Sequence, residues 1–240
     1  MRRVIGLMVA LLVTASAQRA AAQTATFGFG LGGLGTWFGR TAAIDARLAE
    51  AGRTPIGGPG GGLIIPLDGS IGPVRLALTT ELAFRGDDAT RGVHAVTAAF
   101  QIGARLRRGG WVFLPSMGPT HQQLSLCVKG PAGAAPVPVG PVFDQILSAA
   151  GSGECFKAES NGIRFELGLD REFWPVTGDA IALGFFIGAR LGLTMPLSSR
   201  WIWRDTEIEG PLTSVVTPSI GLVLGVRIGS GDRTPRDHEP

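Results

Sequence analysis

Enzyme chemistry needs nucleophiles, bases or metal ligands, and this chain of 240 residues is sparing with all three. Its histidines are His94, His121 and His238, and its cysteines are Cys127 and Cys155. Acyl transfer or hydrolysis would need a serine beside a histidine base, with an acid to orient the base. Ser116 and Ser125 lie near His121 in the sequence, but neither stands in a recognisable serine–histidine spacing. A lipid-acting enzyme therefore ranks third among the functional readings, and the expectation is a non-enzyme. Two cysteines and one nearby histidine are too few to hold a metal. The stretch "GFGLGG" fits G-x-G-x-x-G at Gly28, Gly30 and Gly33, with Glu50 roughly where a ribose-binding acid would sit. A dinucleotide fingerprint requires a preceding strand and a helix directly after it. Here an aromatic alternation runs straight through the motif. "GGPGGG" lacks the Lys-Ser/Thr of a phosphate loop. No cofactor is expected.

Two kinds of chemistry remain. An even pair of cysteines in an oxidising compartment reads as a disulfide, Cys127–Cys155. Closing that loop of about 29 residues would contribute on the order of 3 to 4 kcal/mol in the chain-entropy model. The second kind is electrostatic. Arg75, Glu81, Arg85, Arg105, Arg107, Arg164, Glu166, Asp170, Arg190 and Arg227 all fall opposite aliphatic residues in alternating runs. If they face a common interior, mutual salt bridges are the default, because unpaired charges are costly there. The core of that network is expected at Arg75, Glu81, Arg105, Arg164, Glu166, Arg190 and Arg227. The excess of arginine would favour anions if the interior conducts, which makes a narrow anion-preferring pore the alternative reading.

The elements that carry these charges are strands. In "VRLALTTELAF", Val74, Leu76, Leu78, Leu82 and Phe84 interleave with Arg75, Ala77, Thr79, Glu81 and Ala83. A strand places two such sets on opposite faces. The pattern recurs at Phe27 to Leu31, Val96 to Arg107, "WVFLPSMG", Ile163 to Asp170, Leu183 to Thr194 and Ile220 to Gly229, with a weaker run in "GGGLIIPL". That makes eight. The runs extend over about 10 to 14 residues, against a usual strand of 5 or 6, and a tilted strand needs roughly 9 to 11 to cross a bilayer.

The connections have a rhythm. Residues 39–58, "RGDDATRG", 119–161 and 196–216 alternate with tight turns at Asp68-Gly69, Arg108-Gly109-Gly110 and "PVTGD". Short turns at one end and longer loops at the other are the asymmetry of outer-membrane barrels. Two loops carry helices of their own. "TAAIDARLAEAG" has Thr41 as N-cap, Ile44 and Leu48 on one face, and Gly52 as its stop. "PVFDQILSAAG" starts at Pro141, carries a stripe of Val142, Phe143, Ile146 and Leu147, and stops at Gly151. Each stripe is expected to pack on the barrel rim.

The N-terminus agrees. Arg2 and Arg3 precede an apolar run from Val4 to Val13, and two small-residue cleavage signals follow, at Ala15-Ser16-Ala17 and Ala20-Ala21-Ala22. Residues 1–22 are read as a cleaved signal peptide, 23–230 as the barrel and 231–240 as a polar tail. The full chain has 22 basic and 19 acidic residues; loss of Arg2, Arg3 and Arg19 with the leader makes the counts equal. The basic excess thus says nothing for a nucleic-acid partner, and no basic run with interleaved aromatics appears.

On this signal peptide, the alternating strands and the loop rhythm, the chain resembles the small eight-stranded outer-membrane β-barrel proteins of Gram-negative bacteria. The resemblance implies an all-β, antiparallel up-and-down transmembrane barrel in the outer membrane, with lipid as its first partner and short helices in the extracellular loops. It departs from them in two ways. Tyrosine is absent, so Trp37, Trp111, Trp174, Trp201, Trp203 and the phenylalanines must form the aromatic girdles, and the chain continues past its last strand into "GSGDRTPRDHEP". The resulting expectation is a monomer with a filled lumen in a structural or surface-interaction role, meeting any extracellular partner through loops 39–58 and 119–161.

Overall fold

Alternating polarity becomes a closed sheet in this protein, a computed structural model that describes residues 25–86, 91–129, 142–149, 154–177, 181–211 and 215–230. The leader expected at 1–22, the tail at 231–240 and Pro141 lie outside the described residues. The strands are β1 (Ala25–Phe38), β2 (Gly58–Ile71), β3 (Val74–Arg85), β4 (Arg91–Ala104), β5 (Leu106–Arg108), β6 (Trp111–Val128), β7 (Cys155–Thr177), β8 (Ile181–Trp203), β9 (Thr206–Ile208) and β10 (Thr217–Ser230). All pairings are antiparallel between neighbours, and β10 pairs with both β8 and β1, which closes the barrel. β4 and β5 make one stave interrupted at Arg105, whose backbone N–H donates to the Pro73 carbonyl at 2.8 Å. β9 only folds back on the outer end of β8. Eight staves result, as the alternation predicts.

Closure sorts the two faces. Leu78 is 43% exposed and Leu191 52% exposed on the outside, while Arg75, Arg164, Arg190 and Arg227 inside are fully buried. A soluble sandwich would show the reverse. On β10 the outward residues Ile228, Val226, Leu224, Leu222 and Ile220 are all exposed, a run of about nine residues, enough to cross a bilayer when tilted. Trp37 and Trp111 stand exposed at opposite ends of the apolar belt.

Strand lengths differ from expectation on one side. β6 has 18 residues, and β7 and β8 have 23 each. Much of the loop expected over 119–161 is therefore ladder, paired from Pro119↔Ile163 to Cys127↔Cys155, and in the loop expected over 196–216 residues 196–203 extend β8 and fold back as a hairpin with β9. Beyond the belt the outward positions become polar (His121, Gln123, Lys157, Asn161), so these staves overhang the membrane. Likewise the turn expected at Asp68-Gly69 falls at Gly72, which has a φ of +56°; Asp68 continues the ladder opposite Gly28 and Ala77.

Two helices fill the outer mouth. α1 (Ala42–Glu50) buries Ile44 and Leu48 completely. Thr41 holds the N-cap position, but its hydroxyl donates to Asp45 Oδ2 at 2.7 Å instead of capping the backbone. α2 (Val142–Ala149) buries Phe143 and Leu147 and leaves Val142 facing out. Phe143 packs 4.8 Å from Phe156 and 4.6 Å from Trp201, ring centre to ring centre. Trp201 is thus a core residue that donates to Pro211 O at 2.8 Å, and Trp203 donates to Glu154, so neither serves as a girdle residue.

Candidate functional site: a sealed lumen

Among the described residues the lumen gathers most of the buried charges, and alternation explains how. Asp68 projects inward from β2, Arg75 and Glu81 from β3, Arg164, Glu166, Asp170 and Glu172 from β7, Arg190 from β8 and Arg227 from β10, each at the buried position of its strand. Arg105 joins them from the break between β4 and β5.

The contacts form one continuous network. Arg164 grips Glu81 with both ends of its guanidinium, Nη1 to Oε2 at 2.9 Å and Nη2 to Oε1 at 2.5 Å. It also donates to Thr194 Oγ1 at 3.1 Å and lies 3.5 Å from Glu166. Arg190 pairs with Asp170, and its Nε stands 3.9 Å from Glu166 Oε1. Arg227 pairs with Glu172, Asp68 and Asp170. Arg105 donates to Glu172 at 2.6 Å. Arg75 donates to Ser116 Oγ at 3.2 Å and stands 3.6 Å from Asp68 and 3.9 Å from Glu166. Phe186 lies beneath two of the guanidiniums, with Arg227 Cζ 4.8 Å from its ring and Arg190 Cζ 6.0 Å away.

The space for these long side chains comes from glycine. A Cβ at Gly28 would stand 2.9 Å from Arg227 Nε and 3.1 Å from Asp68 Oδ1. At Gly188 it would collide with Asp170 Oδ1 and approach Arg190 Nη1 to 2.8 Å. Gly188 thus has no room for a side chain, because the space of its missing Cβ is filled by the Asp170–Arg190 pair.

All seven charges expected in the network are placed in it, but the sequence understates the acids. Asp68 looked like a turn residue and Glu172 lay past the apparent end of its strand. Continuing the two-residue period from Glu166 through Asp170 to Glu172 would have found the latter. With these two included, Arg75, Arg105, Arg164, Arg190 and Arg227 face Asp68, Glu81, Glu166, Asp170 and Glu172, and the formal charges cancel. The arginine excess disappears, and with it the argument for anion preference. Arg85 and Arg107 also differ from expectation. Arg85 sits at the outer rim and donates to Ile56 O and Pro59 O, while Arg107 is exposed at the inner end and donates to Gly109 O.

The hydrolytic candidates separate. Ser116 points into the lumen toward Arg75, whereas His121 lies on the outside of the same strand, 3.0 Å from Asn161 Oδ1. His94 is exposed, and His238 lies outside the described residues. Cys127 and Cys155 are bonded, directly opposite each other where β6 and β7 end, with Cα atoms 4.0 Å apart. Beside this bond Glu154 accepts from Arg204 Nη2 at 2.5 Å and from Trp203 Nε1 at 3.0 Å. Those two hydrogen bonds, Arg204 first, hold the Glu154 carboxyl below its ordinary pKa.

A closed antiparallel barrel with an apolar outer belt and a polar interior is the architecture of an outer-membrane protein, since only closure satisfies every strand edge in lipid. No family model matches this chain, and no curated protein matches it in sequence. Among solved structures, it is similar to Ail, the attachment invasion locus protein of Yersinia pestis, at 11% identity and TM-score 0.45, over 86% of this chain and 99% of that one. It is similar also to Neisserial surface protein A at 12% identity and TM-score 0.40, over 85% and 96%. The outer membrane protein OprG from Pseudomonas aeruginosa aligns at 10% identity and TM-score 0.40, over 88% and 98%. The fold assignment itself rests on the strand register.

Proposed function

We propose that the protein is a non-conducting outer-membrane barrel with a structural or surface-interaction role, exerted through its outer cap. One observation carries this reading: four arginines inside the membrane-spanning staves are fully buried, and each is paired with carboxylate. A conducting path would need to part a network whose charges already cancel. Above it, α1, α2 and the overhanging ends of β6 to β8 cover the lumen, so an extracellular partner would meet the cap. The first loop at 39–58 and the described helix of the fifth connection, α2, offer that surface. A single copy closes its own sheet and needs no second chain.

The test is electrical. Purified protein in planar bilayers should show no steady conductance. Reproducible anion-selective steps that vanish on Arg105→Gln or Arg190→Gln would overturn the sealed-lumen reading and establish the pore.

A further inference from the structure

At the inner end of the barrel the ladder places Arg108 of β5 opposite Trp111 of β6, and Trp111 opposite Arg171 of β7. Directly opposed residues share a face of the sheet, and Trp111 is 51% exposed on the lipid side. The Arg171 guanidinium lies 5.5 Å from the Trp111 ring and 5.7 Å from the Phe173 ring. It leans toward the β5–β6 turn and occupies the space a side chain at Gly110 would take. Neither Arg108 nor Arg171 forms an ion pair among the described residues. The adjacent carboxylate, Glu172, faces the lumen and is held by Arg105 and Arg227. Among the described residues, the exposed carboxylates Glu50, Asp205, Glu207 and Glu209 are at the opposite end. One row toward the membrane centre, the same three strands present Leu106, Phe113 and Leu169.

We propose that Arg108 and Arg171, flanking Trp111, bind the phosphate headgroup of an anionic phospholipid in the inner leaflet, with its chains lying along Leu106, Phe113 and Leu169. The inference rests on the membrane reading above. Arg108 and Trp111 sit where the apolar belt ends on β5 and β6, while on β7 it runs on past Arg171 through Phe173 and Val176; indole rings favour headgroup depth. Guanidinium pairs with phosphate through two parallel hydrogen bonds. The arginines arise two strands apart, roughly 10 Å between backbones, a gap that two long side chains can close around one phosphate. Stacking on Trp111 and Phe173 holds Arg171 in place before the lipid arrives.

Native mass spectrometry of the folded full-length protein in detergent tests this, with titrations of phosphatidylglycerol and of phosphatidylcholine. At roughly fivefold per arginine near a headgroup surface, the wild type should prefer phosphatidylglycerol by about 25-fold. R108Q/R171Q should bring that ratio near unity, while R204Q at the outer end leaves it unchanged. Excess glycerol phosphate should fail to displace the lipid, because it lacks the chains. Four results would overturn the proposal: no preference in the wild type, a preference retained in the double variant, an equal loss in R204Q, or displacement by glycerol phosphate. Should the double variant fail to fold, R171Q alone must still lower the ratio about fivefold. Failure of the wild type to insert into vesicles would sink the membrane reading itself, whereas insertion without lipid preference would sink only this inference.

Discussion

Removing one guanidinium from the lumen tests whether its charges are held as pairs in a dry interior. Arg164 is fully buried and Glu81 is 4% exposed, and two hydrogen bonds at 2.9 and 2.5 Å join them. Thr194 Oγ1 at 3.1 Å and Ser219 Oγ at 3.4 Å complete the arginine's surroundings. Arg164→Met would leave the interior with one uncompensated negative charge, centred on Glu81 and Glu166. Breaking a buried pair from one side costs about 3 to 5 kcal/mol. The lower half of that range is expected here, because Arg75 already faces Glu166 and can turn further toward it. Arg164→Met/Glu81→Gln restores neutrality, so the remaining loss is hydrogen bonding to Ser219 and its neighbours, about 1 to 2 kcal/mol. The double variant should therefore be more stable than Arg164→Met alone. As a surface control, Arg200→Gln breaks the half-exposed pair with Glu159 at 2.8 Å and should cost no more than about 1 kcal/mol. The assay is reversible urea unfolding from lipid vesicles, followed by tryptophan emission. A loss below about 1 kcal/mol for Arg164→Met, with no coupling to Glu81→Gln, would refute the dry paired network.

Further outcomes follow from the same geometry. Leu78→Arg or Leu191→Arg puts a charge on the lipid face and should cost about 2 to 4 kcal/mol if near the midplane, read in the same unfolding assay; values near zero would place these residues in water. Gly188→Ser should also destabilise, since its Cβ displaces the Asp170–Arg190 pair, and unchanged stability would show that the pair has room to move. Reduction of Cys127–Cys155 should speed proteolysis within residues 130–154 while the barrel stays folded; the buried Phe143 and Leu147 should keep α2 docked, so cuts should fall first outside the helix. The Glu154 carboxyl has a lowered pKa, so the stability of its clasp on Arg204 and Trp203 is present above the unfolded glutamate value. It is lost as pH falls through the lower folded value. Trp203 fluorescence should report that loosening, and Glu154→Gln should remove the transition.

The fold was legible because a two-residue period is a local signal. Each stave carries it without help from its neighbours, so Val74 to Phe84 declares both faces alone. What failed was the point at which each stave stops. Asp68-Gly69 has turn chemistry, yet the strand continues and Asp68 meets Arg227 over Gly28 of the strand between them, a contact between residues far apart in sequence. The ends of β6 and β7 were hidden for the opposite reason. Outside the membrane the outward face no longer needs to be apolar, so the alternation that marks a spanning strand fades while the ladder persists. The site suffered from the same cause. Five arginines stand in recognisable alternation, but two of their carboxylates, Asp68 and Glu172, stand where the alternation gives way to turn-like sequence.

The overhang explains why the lumen is closed differently at its two levels. Within the membrane the wall is complete on all sides, and small inward residues leave volume that only long side chains from several staves can fill together. Charge serves there because every guanidinium meets a carboxylate from another stave. Above the membrane β6, β7 and β8 continue with the end of β4 beside them, paired up to Arg91↔Val128, so among the described residues the wall is one-sided and its inward face would be wetted. That face is aromatic, with Phe156 and Trp201, and needs an apolar cover. α1 approaches from the short side of the barrel and α2 from the long side, and Arg47 of α1 reaches Asp144 of α2 at 3.5 Å. Arg53, just after α1, donates to Lys129 O at the end of β6 at 2.8 Å. The missing half of the wall is thus supplied by helices from two different loops, tied to each other and to the tall staves. The disulfide holds the tall hairpin where this cover is anchored, which links the redox state of the compartment to the cap and leaves the spanning ladder to hold itself.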